Sequence, residues 1–367
     1  MRFLLTGGGT GGHIYPALTL WHTIETRMPD AEVLYVGTER GLEHGIVPRA
    51  GLPFQTIFAA GLRRQVSLQA VKTVWTTYRG YRQAKRLLKK FKPDVVVGTG
   101  GYVTLPVVYA AARLGIPSVV WEANARPGLT NVLCSRKSSA VAVCFEDSGR
   151  YFPKAKKVVL TGNPRGSEVL HYDRKDLLSA QEAYGLDASK KLILCYGGSR
   201  GAETVNQVLV DLIPRFHSKQ DWQLLYITGE AHYESVQRQL SAPLPANVAV
   251  VPFAYDMPHL LPQAAVVVTR AGGATLAEVC SLGLAAILIP SPYVTANHQE
   301  ENARRLAQAG AAKMIVENEL TPDKLWSELT KVLDSPEGDS LRRAALSKAA
   351  PDAVEKLYEV VMAAVTR

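Results

Sequence analysis

Two segments of this chain share one pattern, an apolar run that breaks into clustered glycines and then continues as a predicted helix. The first extends from Phe3 to His13, and the second extends from Leu192 to Ala202. A buried strand followed by a glycine turn and a helix N-terminus directs backbone N–H groups and the positive end of the helix dipole toward an anion. The repetition predicts two nucleotide-binding α/β halves that face a central cleft.

The order of apolar runs supports two domains. The chain has 367 residues, more than the roughly 250–300 at which single cores stop growing. Strands that alternate with helical patterns predict parallel sheets. In the first half we predict strands at Phe3–Thr6, Val33–Val36, Asp94–Val97, Ser118–Trp121 and Ala140–Val143. In the second half we predict them at Leu192–Tyr196, Leu224–Thr228, Val248–Val251, Ala265–Val268 and Ala285–Ile289.

Turn-forming residues from Leu160 to Arg165 mark the expected hinge. We therefore predict domains at residues 1–163 and 164–350. A last helix, residues 351–367, is expected to pack back on one of them, because its apolar residues recur at helical spacing.

The net charge of +9 is concentrated in one segment. Ten lysines and arginines and no acidic residue lie between Gly61 and Lys92, so the rest of the chain is close to neutral. Leu68, Val71, Trp75 and Tyr78 recur there at helical spacing. This pattern favours an amphipathic helix on an anionic membrane surface, while the alternative is an apolar stripe in the core. The segment has no nucleic-acid motif, and no nucleic-acid partner is expected.

Other classes of protein are disfavoured by what the sequence contains. The four cysteines have no CxxC spacing, which favours a reduced compartment without a disulfide framework or a zinc site. No secretory signal is evident, and no apolar run approaches the ~20 residues of a membrane span. We expect a protein that lies on the cytoplasmic face of a membrane.

The first glycine turn formally matches the dinucleotide-binding pattern GxGxxG at Gly7, Gly9 and Gly12, with Glu39 as a candidate ribose ligand. A dinucleotide enzyme leaves the second turn unexplained. Neither turn contains a Walker lysine, and no Asp-x-Asp pair is present. A nucleotide diphosphate would then be held by backbone N–H groups, Ser199 and Thr10, without a metal.

Further loops follow predicted strand ends, where parallel sheets bind ligands. Gly98–Tyr102 and Glu122–Gly128 are expected to converge with His13, although Glu122 has the alternative role of a helix cap. In the second half, small residues from Gly273 to Ala277 let a ligand approach a helix N-terminus. Glu278 is positioned to accept hydrogen bonds from ribose hydroxyls, and Gln299 and Asn302 share a helix face that would contact sugar hydroxyls. We interpret His298 as the start of that helix.

Ordered motifs along essentially the whole chain resemble those of the MurG family of peptidoglycan glycosyltransferases. They are GGTGGH at Gly8–His13 with Pro16, GGY at Gly100–Tyr102, PGLTN at Pro127–Asn131, GNP at Gly162–Pro164, GGSRGA at Gly197–Ala202, the loop Arg270–Glu278, and HQxxNA at His298–Ala303. One departure is Trp121-Glu122-Ala123-Asn124, where the family usually has His-Glu-Gln-Asn.

The resemblance implies a GT-B fold and an inverting transfer of N-acetylglucosamine from UDP-N-acetylglucosamine (UDP-GlcNAc) to the 4-hydroxyl of a lipid-linked muramoyl-pentapeptide, without a cofactor. It implies a donor site mainly in the second domain. The implied donor contacts are Ser199 on the diphosphate, Glu278 on ribose, Phe253 and Ala254 on uracil, Gly273, Ala274, Thr275, Leu276 and Ala277 along the helix start, and Gln299 and Asn302 on the sugar. Residues of the other domain would complete the substrate sites, namely Thr10, Gly11, Gly12, Tyr102, Asn124 and Arg165.

Inversion by direct displacement requires a base for the acceptor hydroxyl. His13 is the first candidate, because a neutral imidazole accepts a proton near neutral pH; Glu122 is the alternative, or it orients His13. Three other functions remain open. They are a transferase that glycosylates diacylglycerol, a UDP-sugar epimerase, and a non-catalytic protein that binds nucleotide sugars.

Overall fold

The structure is a computed structural model that describes residues 1–61, 68–171, 179–197, 202–240, 243–254, 256–294 and 297–366. The chain forms two compact units. Unit 1 comprises Met1–Ser167 and Ala350–Arg367, and unit 2 comprises Glu168–Ala349.

Unit 1 is built on a parallel sheet in the order β3-β2-β1-β4-β5-β6-β7. Its strands are β1 (Arg2–Gly7), β2 (Glu32–Gly37), β3 (Phe54–Thr56), β4 (Val95–Gly100), β5 (Ser118–Glu122), β6 (Ala140–Val143) and β7 (Val158–Leu160). Its helices are α1 (Gly11–Arg27), α2 (Glu43–Arg49), α3 (Leu68–Phe91), α4 (Thr104–Arg113), α5 (Leu129–Ser135), α6 (Pro164–Glu168, which ends one residue into unit 2) and, from the C-terminal segment, α15 (Ala353–Val365).

Unit 2 is built on a second parallel sheet in the order β10-β9-β8-β11-β12-β13. Its strands are β8 (Lys191–Tyr196), β9 (Trp222–Ile227), β10 (Val248–Val251), β11 (Ala264–Thr269), β12 (Ala286–Leu288) and β13 (Lys313–Met314). Its helices are α7 (Ser179–Glu182), α8 (Glu203–Leu212), α9 (Glu230–Gln239), α10 (Met257–Leu260), α11 (Gly273–Leu282), α12 (His298–Gln308), α13 (Pro322–Leu333) and α14 (Glu337–Leu346). Short 3₁₀ helices lie at Glu146–Tyr151, Ile213–Ser218, Leu261–Gln263 and Glu317–Glu319.

Both sheets are covered on two faces, which explains why their central strands are apolar without alternation. In unit 1, Phe3 and Leu5 of β1 pack with α1 and α15, whereas Leu4 packs on the opposite face with α3 and α4. In unit 2, Ile193 and Cys195 of β8 pack with α8 and α13. The prediction of two parallel-sheet α/β units is confirmed.

The strand orders place the ligand-binding edge of each sheet. The first six strands of unit 1 and the six of unit 2 follow the doubly wound order, in which the direction of winding reverses beside the first strand. In such sheets ligands bind beyond the carboxyl ends of the strands at that reversal. The reversal lies between β1 and β4 in unit 1 and between β8 and β11 in unit 2.

Within the part of the chain that the structure describes, none of the helices combines the length and the apolar composition that a bilayer span requires.

Candidate active site

The first glycine turn holds the ring of His13 at the reversal point of unit 1. The turn joins β1 to α1, and Thr10 precedes the helix with an extended backbone. Nδ1 of His13 lies 2.9 Å from the Gly8 carbonyl oxygen and 3.3 Å from Thr10 Oγ1. A carbonyl oxygen only accepts hydrogen bonds, so Nδ1 carries the proton of the neutral ring. The lone pair of that tautomer is on Nε2, which is the atom that a general base uses.

Gly100 leaves the space that this ring occupies. Gly100 has φ +112°, and a Cβ on it would lie 2.8 Å from Cδ2 and 3.0 Å from Nε2 of His13. The same Cβ would lie 3.5 Å from Nδ2 of Asn131. Glycine is therefore needed at residue 100 both for its backbone conformation and for the imidazole. The contact brings the end of β4, α1 and α5 together at one point.

Glu122 organises the loop that follows β5. Oε1 accepts hydrogen bonds from the backbone and side-chain nitrogens of Asn124, at 2.9 and 3.0 Å. Oε2 accepts from Gly128 N at 3.1 Å and from Asn131 Nδ2 at 2.8 Å. Gly128 is the N-cap of α5, so one of these bonds also satisfies an N–H group just before that helix. Both carboxylate oxygens are thus engaged by donors of the protein.

Burial controls the protonation of Glu122. Only 2% of the residue is exposed, and this desolvation raises the pKa of Glu122 above its ordinary value. The hydrogen bonds from Asn124, Asn131 and Gly128 act in the opposite direction, because they stabilise the ionised carboxylate. Desolvation is the larger effect.

The departure from the family motif at Trp121 has a structural role. The residue is fully buried in the core between the sheet, α1 and α15. Its indole Nε1 donates a hydrogen bond to the Gly162 carbonyl oxygen at 3.2 Å, and its own carbonyl oxygen accepts one from Asn131 Nδ2 at 3.0 Å. Trp121 therefore connects the Glu122 loop to the segment at Gly162, which has φ +83°.

Other predicted residues of unit 1 surround the same turn. A Cβ on Gly9 would lie 3.3 Å from the Tyr102 ring, and one on Gly11 would lie 3.1 Å from the Tyr15 ring. The Arg165 guanidinium lies 5.9 Å from the centre of the Tyr15 ring. Gly12 follows Gly11 in the first turn of α1. The structure thus places Gly11, Gly12 and Tyr102 at the first glycine turn, with Arg165 beside Tyr15 of α1.

In unit 2, the second glycine turn and Ser199 lie outside the described residues, so the prediction for Ser199 stays a prediction. The loop after β11 is described, and it contains a buried ion pair. Arg270 Nη1 lies 2.5 Å from Glu317 Oε2, and the two side chains are only 10% and 7% exposed. Glu317 Oε1 accepts a hydrogen bond from Thr204 Oγ1 at 2.9 Å. Glu317 therefore connects the loop after β11 to the start of α8.

The predicted sugar ligands of α12 also hold the loops around them. Asn302 is fully buried, and its Nδ2 donates to the Ala271 carbonyl oxygen at 3.1 Å. Gln299 Oε1 accepts from Ser291 N at 2.9 Å. The helix itself begins at His298, as predicted. Contact of Gln299 and Asn302 with a sugar stays a prediction.

The remaining donor candidates follow the carboxyl ends of two strands. Gly273, Ala274, Thr275, Leu276 and Ala277 open α11, and Glu278 follows them in the same helix. Phe253 and Ala254 follow β10, and the Phe253 side chain is exposed while Ala254 is buried. These two candidate segments are therefore separated by two strands, because β9 and β8 lie between β10 and β11 in the sheet.

Helix α3 exposes aromatic and basic side chains together. Its buried face is formed by Gly80, Ala84 and Leu88. Trp75 and Tyr78 are 60% and 48% exposed, so the alternative that this stripe lies in the core is wrong for these two residues. Exposed basic side chains follow along the helix at Arg79, Arg82, Arg86, Lys89 and Lys90. The side chains of Leu68 and Val71 lie outside the described part of the chain.

Sequence reasoning missed three polar residues of these networks, Asn131, Glu43 and Glu317. Asn131 ends the PGLTN motif, which does not by itself indicate a role, although its amide contacts both Glu122 and Trp121. Glu43 is a fully buried carboxylate that contacts the first glycine turn. In the sequence, the only local indication of a buried Glu43 is its place shortly after the glycines at residues 37 and 41. No local pattern indicates the role of Glu317.

Comparison with known families gives two matches on this chain. Residues 3–143 match the glycosyltransferase family 28 N-terminal domain, and residues 192–357 match the glycosyltransferase family 28 C-terminal domain.

Three known proteins are similar to this chain along their full length. A Bacillus cereus protein named UDP-N-acetylglucosamine--N-acetylmuramyl-(pentapeptide) pyrophosphoryl-undecaprenol N-acetylglucosamine transferase 1 is 48% identical, covering 98% of both chains. The crystal structure of Acinetobacter baumannii MurG is 29% identical, with a TM-score of 0.77 and 99% of both chains covered. A UDP-GlcNAc 2-epimerase from Neisseria meningitidis, 17% identical with a TM-score of 0.70, covers 99% of this chain and 100% of its own. At that identity the epimerase shows likeness of fold alone.

Proposed function

Because this chain belongs to glycosyltransferase family 28, we propose that it transfers N-acetylglucosamine from UDP-GlcNAc to the 4-hydroxyl of undecaprenyl-pyrophosphoryl-N-acetylmuramoyl-pentapeptide, with inversion. The chain is a UDP-GlcNAc-dependent N-acetylglucosaminyltransferase of peptidoglycan synthesis, the activity that its 48% identical relative is named for. The observation that carries the mechanism is the His13 ring, whose Nδ1 is held by the Gly8 carbonyl while Nε2 keeps its lone pair.

Unit 2 supplies donor recognition in this proposal. Ser199 and the second glycine turn hold the diphosphate, Glu278 accepts hydrogen bonds from ribose hydroxyls, and Phe253 and Ala254 contact uracil. The helix start from Gly273 to Ala277 directs its N–H groups toward the donor. Gln299 and Asn302 contact the sugar, and Asn302 also holds the Ala271 carbonyl in place.

Unit 1 supplies the base. His13 Nε2 takes the proton of the acceptor 4-hydroxyl as that oxygen forms its bond to the anomeric carbon. The bond from the anomeric carbon to the β-phosphate oxygen breaks on the opposite face, and UDP leaves with its electron pair. Thr10, Gly11, Gly12, Tyr102, Asn124 and Arg165 form the surroundings of this step. Glu122, whose two oxygens accept hydrogen bonds from Asn124, Gly128 and Asn131, orients Asn124 and Asn131 in place of acting as the base.

Replacement of His13 by Ala tests the assignment of the base. We expect kcat to fall by about 10²–10⁴-fold at saturating donor, the range of general-base catalysis. His22→Ala is the matched control, because His22 lies on the same helix with an exposed side chain. UDP release is measured with the lipid-linked muramoyl-pentapeptide, with diacylglycerol and without acceptor. Near-normal turnover of His13→Ala would reject the base, and release that depends on diacylglycerol would reject the acceptor.

We also propose that the protein binds the cytoplasmic face of the membrane through α3. Trp75 and Tyr78 would enter the headgroup region while the basic side chains contact anionic lipid. Their rings lie 5.9 Å apart, and Tyr78 stacks on Tyr81 at 6.4 Å, so the aromatic residues form one continuous ridge.

Vesicle sedimentation tests this attachment. We expect binding to vesicles that contain anionic lipid, with a loss in the double variant Trp75→Ala, Tyr78→Ala. Tyr293→Ala is the control, because Tyr293 is an aromatic residue of unit 2 that is 83% exposed. Equal binding to neutral and anionic vesicles would remove the electrostatic part of the proposal, and equal binding of the double variant would remove the aromatic part.

A further inference from the structure

A buried carboxylate lies behind the first glycine turn. Glu43 opens α2 and is fully buried. Its Oε1 accepts hydrogen bonds from the backbone nitrogen of Thr38 at 3.1 Å and from Thr38 Oγ1 at 2.7 Å. Its Oε2 accepts one from Gly9 N at 3.0 Å. Three donors therefore compensate the removal of this charge from water.

Glycine backbones form the space around this carboxylate. A Cβ on Gly8 would lie 2.5 Å from Glu43 Oε1, and one on Gly41 would lie 2.1 Å from Oε2. A Cβ on Gly37, at the end of β2, would lie 2.5 Å from Glu43 Cγ. Real Cβ atoms do not approach other atoms so closely, so any larger residue at these positions would displace the carboxylate.

The carboxylate and the imidazole are bound to adjacent residues of the same turn. Glu43 holds Gly9 through its N–H group, and Gly8 holds His13 Nδ1 through its carbonyl oxygen. Gly9 has φ +85°, so the direction of the Gly8 carbonyl depends on a backbone conformation that few residues adopt. The hydrogen bond of the Gly9 N–H group is thus made within the protein, to the Glu43 carboxylate.

The place of Glu43 in α2 explains only part of this arrangement. An acidic residue in the first turn of a helix is favoured by the helix dipole. That preference does not require a hydrogen bond to Gly9, which lies 34 residues away in the sequence. It also does not require three glycines around the side chain. The contacts to the turn need a second explanation.

We propose that Glu43 is a positioning residue for the transfer reaction. It fixes the first glycine turn through Gly9 and so keeps the Gly8 carbonyl on Nδ1 of His13, with the ring proton on Nδ1 and Nε2 directed toward Gly100. This inference rests on the proposed function of His13 as the base. Glu43 itself contacts neither substrate.

The test compares Glu43→Gln with Glu39→Gln, which removes the same charge from an exposed residue of the same β2–α2 connection. Glutamine keeps one acceptor oxygen and places an NH2 group against one of the N–H donors. We expect kcat to fall at least ~10-fold in Glu43→Gln while KM for UDP-GlcNAc changes by less than ~2-fold, since donor binding is assigned to unit 2. Glu39→Gln is expected to stay within ~2-fold of the wild type in both constants.

A double-mutant cycle separates positioning from a merely structural role. In the His13→Ala background, Glu43→Gln should cause no further loss of kcat beyond ~2-fold, because the residue through which it acts is gone. A full additional loss would overturn the proposal, and so would a folded Glu43→Gln with normal kcat. If His13→Ala itself keeps normal turnover, the proposed base fails, which is a different result.

A second variant keeps the test decisive if Glu43→Gln does not fold, as judged by circular dichroism and thermal unfolding. Thr38→Val removes one donor to Glu43 Oε1. It keeps the charge of Glu43 and the branched shape of the side chain at residue 38. We expect a smaller loss of kcat, about 2–5-fold, again with an unchanged KM for the donor. Wild-type kcat in folded Thr38→Val, together with an unfolded Glu43→Gln, would assign Glu43 to stability alone and overturn the proposal.

Discussion

Replacement of Glu122 by Gln is expected to destabilise the fold and to leave the base in place. Each carboxylate oxygen faces two N–H donors, so the NH2 group of glutamine must oppose one pair. Opposing Gly128 and Asn131 is the less costly choice, because Asn131 Nδ2 keeps its bond to the Trp121 carbonyl. The second N–H bond of the buried Asn131 amide then loses its partner, which costs about 1–3 kcal/mol, whereas Gly128 is exposed and its N–H group can bind water. We expect the free energy of unfolding to fall by about 2 kcal/mol at pH 7.

The same variant has a defined dependence on pH. Because the pKa of Glu122 is raised in the folded protein, mainly by desolvation, the native state binds a proton more readily than the unfolded state. The stabilisation that Glu122 provides relative to Gln is therefore greatest below the ordinary glutamate pKa, and it decreases as pH rises through the raised pKa. Above that pKa the difference in the free energy of unfolding between the wild type and Glu122→Gln no longer changes with pH.

Urea unfolding of the wild type and Glu122→Gln across pH 4–8 measures both effects. Glu146→Gln is the matched control, because Glu146 is an exposed acid of the same unit. Equal stability of Glu122→Gln and the control at every pH would refute the four hydrogen bonds. A folded Glu122→Gln that loses as much kcat as His13→Ala would identify Glu122 as the base.

Three further substitutions follow from the contacts of the site. Trp121→Phe removes the donor to the Gly162 carbonyl and leaves a cavity beside the smaller ring, so thermal unfolding should show a loss of about 2–3 kcal/mol; an unchanged melting temperature would contradict both the hydrogen bond and the packing of the indole. Glu317→Gln leaves the buried Arg270 charge without its counter-ion, and we expect a loss of about 3 kcal/mol in urea unfolding with a higher KM for UDP-GlcNAc; an unchanged KM would separate the ion pair from donor binding. Gly100→Ala is expected to lower kcat more than ~10-fold in steady-state assays, because φ is +112° and the new Cβ would press on the imidazole; normal turnover would place the ring elsewhere.

The central strands were predictable from the sequence, and the edge strands were not. The predicted runs coincide with β1, β2, β4, β5 and β6 in unit 1 to within a few residues, because these strands are buried on both faces. The predictions missed β3, β7 and β13, which have only two or three residues each. Such short edge strands are defined by pairing with a neighbour, and they carry little pattern of their own.

The basic helix shows a different limit of sequence reasoning. The apolar spacing through Trp75 and Tyr78 was recognised, but it did not decide between core and surface. The structure decides through residues that carry no strong apolar signal. Gly80 lies so close to the Phe58 carbonyl oxygen that a Cβ would be 1.7 Å away, and Ala84 is buried beside it. Small residues let the helix approach the sheet, and they leave the aromatic face outside.

The doubled glycine turn shows why a local pattern identifies a class of site and leaves its chemistry open. A strand, a glycine turn and a helix N-terminus predict an anion site in both halves, because these features are formed by neighbouring residues. In the first turn the N–H group of Gly9 already binds an anion, the carboxylate of Glu43. That carboxylate comes from 34 residues further along the chain, so no local pattern could reveal it. The first turn thereby holds an imidazole through its Gly8 carbonyl oxygen, and binding of the donor diphosphate by the second turn stays a prediction.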